Sequence, residues 1–139
     1  MRKSDFERLE VYQLAERLAD CVWDLSANWA WYEKQTVGSQ LVRAADSIGA
    51  NIAEGAGRGS YKENRRFVKI ARGSLNETRH FLRRAYKRNL LSDHIIESLT
   101  PLLDELSPRL NAYLNSIGRP GKRKTDNGQL TTDNGPRTQ

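Results

Sequence analysis

Residues 61–90 carry ten lysines and arginines against two acids. Within them Arg65, Lys69, Arg72, Asn76, Arg79 and Arg83 fall inside about 80° of arc at ~3.6 residues per turn. A helix so marked presents a row of cations that suits phosphate oxygens. Such contacts are salt-dependent and read the nucleic-acid backbone rather than its bases. Lys62, Arg66, Lys87 and Arg88 continue the row. The solvated face of any amphipathic helix is also charged, but balanced charges serve solubility equally well, and ten against two is not balanced.

Other residues invite other chemistry. Glu77-Thr-Arg-His80 has the Glu-x-x-His spacing of di-iron bundles, which need a second such pair and two further inward carboxylates. His80 and His94 are the only histidines, residues 91–94 read LSDH, and Glu77 and His80 lie off the apolar arc of their helix. No metal site is expected. Cys21 has no basic or histidine neighbour in sequence and reads as a buried free thiol. No nucleophile elbow or paired carboxylates occur, so neither catalytic residues nor a cofactor are assigned. Glu54-Gly-Ala-Gly-Arg-Gly-Ser60 lacks the third glycine of G-x-G-x-x-G and the Gly-Lys-Ser/Thr of a P-loop. It reads instead as a corner, with Gly55 and Gly57 taking positive φ to end one helix before Ser60 caps the next. Glu54 opposes the helix macrodipole there, and Arg58, Arg65 and Arg43 are its candidate partners.

The elements that position these residues are helices. Ser4-Asp-Phe-Glu7 is a capping box, and Val11, Leu14, Leu18, Val22 and Leu25 follow at helical spacing, giving a first helix over about 5–28. The aperiodic stretch NWAWYEKQT is read as a connection, with Trp29, Trp31 and Tyr32 lidding the bundle. A second helix runs from about Val37 to Glu54. Val37, Leu41, Ala44, Ile48 and Ile52 form one face, and Val42, Gly49, Ala53 and Ala56 form a slim second face. Arg43, Ser47, Asn51 and Glu54 fall on its far side. Gly49 costs roughly 1 kcal/mol of helix propensity relative to Ala, which points to a close-packing role. The third helix opens with a second capping box, Ser60 to Glu63, and runs to about Asn89. Its apolar arc is Phe67, Val68, Ile70, Ala71, Leu75, Phe81, Leu82 and Ala85. Ser92 caps the fourth, strongly amphipathic, where Pro101 and Pro108 mark either a kinked helix or two short ones. Four amphipathic helices with short connections and no strand pattern make an all-α, antiparallel up-and-down four-helix bundle over 1–117, followed by a disordered basic and polar tail over 118–139.

Bulk properties agree. The chain has 139 residues, enough for one domain, with 37% apolar residues, a net charge of +6 and a mean hydropathy of −0.74. No apolar run approaches the ~20 residues of a membrane span. MRKSDFERLE puts charges where a signal peptide is apolar, and a single cysteine fits a reducing cytoplasm.

The run SQLVRAADSIGANIAEGAGRGSYKENRRFVKIARGSLNE, with FERLEVYQLAERLA before it, resembles the bacterial four-helix-bundle family of 23S rRNA intervening-sequence proteins over roughly residues 4–115. Ser-Ile-x-x-Asn-Ile-Ala-Glu-Gly followed by Ile-Ala-Arg-Gly-Ser-Leu is a specific combination. The resemblance implies a homopentameric ring of bundles. The chain is also similar to the accessory proteins of diversity-generating retroelements, basic pentameric barrels that bind nucleic acid and assist a reverse transcriptase. The family pattern falls on Ser47, Ile48, Asn51, Ile52, Glu54, Gly55 and Arg72, with no catalytic role attached. This chain has Gly49 where many members have Pro, and Trp29-Ala30 where many have Phe-Pro.

The expectation is therefore a non-enzymatic, oligomeric bundle that binds RNA or DNA through Arg65, Lys69, Arg72, Arg79 and Arg83. The alternative is an adaptor for a protein, such as a reverse transcriptase or a ribosome-associated factor.

Overall fold

The computed structural model describes residues 1–119, so the tail assigned from Gly118 lies, after its first two residues, outside the described residues. Four main helices form: α1 (Glu10–Ser26), α2 (Ser39–Ala56), α3 (Tyr61–Lys87) and α4 (Asp93–Ser116). No strand occurs among the described residues. The most extensive packing is α2 on α3; α1 packs on α2 and α4, and α4 closes on α3, leaving α1 and α3 diagonal. The core is filled by Leu14, Leu18 and Val22 of α1, Leu41, Ile48 and Ile52 of α2, Val68 and Leu75 of α3, and Leu106 and Leu110 of α4. Burying each such side chain contributes about 1.5–3 kcal/mol, and that gain selects the helical faces the apolar spacing marks.

The first helix does not start at residue 5. Asp5–Arg8 is a 3₁₀ turn, Leu9 is extended (φ −70°, ψ 132°), and α1 begins at Glu10. The first capping box forms on this short turn, with the Ser4 N–H donating to Glu7 Oε1 at 2.6 Å. Leu9 packs against the core and the Phe6 ring meets Tyr12 edge-on at 5.0 Å, so apolar anchoring turns the chain where propensity would continue it.

The connection is also shorter than expected. Trp31–Glu33 is already helical and leads through a π-helical turn, Lys34–Gly38, into α2. A π turn closes i→i+5, so it shifts the register by a residue and erases the 3.6 period around it. Trp29 does lid the bundle, lying half-buried against Gly38. Trp31 and Tyr32 do not; they stand 74% and 68% exposed.

The corner departs from its expected geometry. α2 continues through Gly55 to Ala56, and Gly57 has φ −87°, so neither glycine takes positive φ. A left-handed residue ends α3 instead. Asn89 has φ 64°, its N–H donates to Tyr86 O at 3.0 Å, and the Leu90 N–H donates to Ala85 O at 2.9 Å. This is a Schellman motif that stops α3 at Lys87. Asn89→Ala should cost about 1 kcal/mol in chemical denaturation, since a Cβ without a polar group strains there, and Asn89→Gly should cost nothing.

α4 is one helix, with Pro101 and Pro108 inside it. The two prolines are seven residues apart and both exposed. The carbonyls they deprive of donors, at the exposed residues Glu97 and Asp104, can turn to water. Gly49 is buried beneath α1, where an added Cβ would sit 3.3 Å from the Tyr12 ring. Its expected packing role holds.

Candidate functional site

Ser60 starts α3 by accepting the Glu63 N–H at 3.1 Å. The Glu63 carboxylate turns to Arg66 at 3.1 Å, and this contact holds its pKa below the usual carboxylate value. The Arg66 and Arg58 guanidinium carbons lie 4.5 and 4.9 Å from the Phe67 ring centre. Arg58 also pairs with Glu54 at 2.8 Å, which selects one of the three partners expected for that carboxylate.

The basic stripe divides into two rows. Arg65, Arg72, Arg79 and Tyr86 recur every seven residues and lean onto α4. Arg65 donates to Leu114 O at 2.8 Å, Arg72 to Asn111 Oδ1 at 3.2 Å, Arg79 to Leu103 O at 3.0 Å, and the Tyr86 hydroxyl to Asp93 Oδ1 at 2.6 Å. Arg79 is also 3.9 Å from Asp104. The partners run backwards along α4, as antiparallel helices require. Beside this row lies a second: Lys62, Lys69, Asn76 and Arg83, all exposed. Its three cations make no ion pair among the described residues. Seven residues fall about 20° short of two full turns, so both rows drift slowly and stay parallel.

The five candidate cations are thus brought to one side of α3, but in two states. Lys69 and Arg83 make no ion pair among the described residues, whereas Arg65, Arg72 and Arg79 also hold α4. Each guanidinium has five N–H donors and uses one or two of them on α4, so phosphate-binding capacity remains.

Ser47, Asn51, Glu54 and Gly55 are elsewhere, along the α2–α3 seam. Ser47 and Asn51 are not on an outward side: they are half-buried against α3, since α3 covers the face between the two apolar faces. Ser47 Oγ lies 2.9 Å from Ser74 Oγ, and Asn51 Nδ2 donates to Ser47 O and Oγ at 2.8 and 3.0 Å. The buried Thr78 hydroxyl completes the seam by donating to Ser74 O at 2.8 Å. Ser74 and Thr78 lie outside the apolar arc assigned to α3, and only Ser74 falls in the family pattern, within Ile-Ala-Arg-Gly-Ser-Leu. Their i, i+4 spacing matches that of Ser47 and Asn51 and was the available signal. Ile70, placed in the apolar arc, is exposed instead, at the arc's edge.

Glu77 and His80 are exposed on the flank of α3, and no group of three or more potential metal ligands occurs among the described residues. Cys21 is exposed rather than buried, being rotated about 100° from the inward Val22. Charge is segregated: α3 has nine lysines and arginines against two acids, while α1 and α4 each have four acids against one arginine. On the acidic side, burial and then Asp20 raise the pKa of Asp46.

The model of the 23S rRNA-intervening sequence protein family matches residues 7–112. Among solved structures, the chain is similar to a protein of unknown function from the S23 ribosomal protein family of Bacteroides thetaiotaomicron, at 21% identity and a TM-score of 0.67. That match covers 76% of this chain and 99% of the other, and it supports the fold alone. No curated protein matches the chain.

Proposed function

The chain belongs to the 23S rRNA-intervening sequence protein family, and from that premise we propose that it is a non-enzymatic, oligomeric bundle that binds RNA or DNA along α3. One observation carries the reading: Lys62, Lys69 and Arg83 form an exposed row of cations without ion pairs among the described residues. The row is about 30 Å long at 1.5 Å per residue, close to one turn of a duplex. Arg65, Arg72 and Arg79 flank it and add donors. Contact is to phosphates, so selectivity among sequences is weak. If about five phosphates are engaged, log K should fall with log salt at a slope of roughly −4 to −5. Failure to bind structured RNA or DNA at low salt overturns the reading.

The oligomer is a homopentameric ring, and the segregation of charge supports it. The acidic α1 lies diagonal to the basic α3, so neighbours can meet head to tail with opposite signs facing. Light scattering on the eluting protein should give about five times 15.9 kDa. A monomer that persists at micromolar concentration overturns the ring. No helix among the described residues is long and apolar enough to cross a membrane, and we place the protein in the cytoplasm.

A second reading, an adaptor for a reverse transcriptase or a ribosome-associated protein, is favoured by the exposed Trp23, Trp31 and Tyr32. Under it, charge reversal on α3 leaves the partner's affinity unchanged.

A further inference from the structure

Near the C-terminal end of α3 the two helices part and leave a cleft of about 410 Å³, within the range of small-molecule pockets. We propose that this cleft takes an unpaired base of a single-stranded nucleic acid, with its phosphate on Arg83. The proposal rests on the nucleic-acid reading of α3 and names what one part of that surface receives.

Three features of the lining together fit a nucleotide. The floor is apolar, built from Leu82, Ile96, Leu99 and Leu103, and suits the flat face of a base. Tyr86 stands in the wall, 41% exposed, with its ring held by the hydroxyl bond to Asp93. A fixed ring at a wet edge is a stacking platform, and such stacking tolerates any base. The third feature is mixed charge. Arg79 and Arg83 line the same cleft as Asp93 and Glu97. A bare phosphate would meet both signs and gain little. A nucleotide separates them: the carboxylates accept from the N–H groups of the base edge, and the guanidinium of Arg83 takes the phosphate. Arg83 makes no ion pair among the described residues, whereas Arg79 is already committed to Leu103 O. A paired base has its Watson–Crick edge and both faces occupied within the duplex, so a base that stacks on Tyr86 is unpaired.

The probe is an oligodeoxycytidylate of about 20 nucleotides, compared with an abasic deoxyribose-phosphate chain of equal length. Wild type should bind the first about 10-fold more tightly. Thr100, exposed on the rim, donates to Ile96 O of its own helix, 2.8 Å away. Thr100→Trp should fill the cleft and abolish the difference while leaving affinity for the abasic chain unchanged. Tyr86→Leu should reduce the difference several-fold. Equal binding of the two chains by wild type, or a difference that survives Thr100→Trp, overturns the base cleft and leaves phosphate binding standing. Binding of neither chain at low salt overturns both.

Discussion

Replacing Lys62 and Lys69 together with glutamate should weaken binding to duplex RNA or DNA by about 100-fold at ~0.1 M salt, and flatten the salt slope by about 2. Each phosphate contact contributes roughly a factor of 8 at that salt through released counterions, and the new carboxylates add repulsion. Both lysines are exposed and make no ion pair among the described residues, so thermal unfolding should stay within about 2 °C of wild type. An unchanged affinity would remove α3 from the interface. The choice of pair matters. Arg72→Glu with Arg79→Glu would also break the bonds to Asn111 and Leu103 O, and set a carboxylate near Asp104. A loss of binding there would confound lost phosphate contacts with a loosened α4. These lysines also lie at the far end of α3 from the base cleft, so their reversal should weaken oligodeoxycytidylate and the abasic chain alike.

Gly55→Val should destabilise the fold by about 3 kcal/mol and lower Tm by about 10 °C. An added Cβ at Gly55 would lie 2.6 Å from Asn64 Oδ1, 3.0 Å from Phe67 Cβ and 3.1 Å from the Asn64 carbonyl oxygen. The first contact can give way, because Oδ1 is the far end of a side chain and is buried without a hydrogen-bond partner among the described residues. The other two belong to the α3 backbone and its first carbons, and they yield only if the helices separate along their most extensive contact. The gain in helix propensity, a few tenths of a kcal/mol for valine over glycine, is too small to offset this. Gly57→Ala is the matched control. It has φ −87°, and its Cβ would meet only carbonyls of its own helix at 3.7 Å, so stability should be unchanged or slightly raised. A Gly55→Val protein that melts within about 2 °C of wild type would sink the close-approach role of Gly55.

Much of the fold was legible because amphipathic period is a local property. Leu14, Leu18, Ile48, Ile52, Leu75, Leu106 and Leu110 are buried where the spacing put them. Several of the misses come from contact with a distant segment. Leu9 breaks the first helix because it packs on the core. Ser47 and Asn51 turn inward because Ser74 waits across the seam. Polar residues carry no apolar signal, so only the matching i, i+4 spacing of Ser47 with Asn51 and of Ser74 with Thr78 hints at the seam before both halves are brought together. The candidate site was half legible. The cations of α3 were countable, but which of them reach α4 was not, since the two rows lie only about 60° apart on the helix and the placement of α4 decides which it meets.

Taken alone, the chain order of residues determined four amphipathic helices, the cap at Ser60 and the concentration of positive charge on the third helix. It also carried the specific run from Ser39 to Glu77 that marks the family. These follow from backbone hydrogen bonding and hydrophobic period within one segment, which need no partner. Tertiary structure alone decided that the corner glycines act differently, Gly55 as a contact point and Gly57 as an ordinary helix end. It also decided that the basic stripe splits into a row that tethers α4 and an exposed row beside it, and that Tyr86 meets Arg83 in a cleft. Each of these depends on the distance and rotation between two helices, and that geometry is set by the whole packed core.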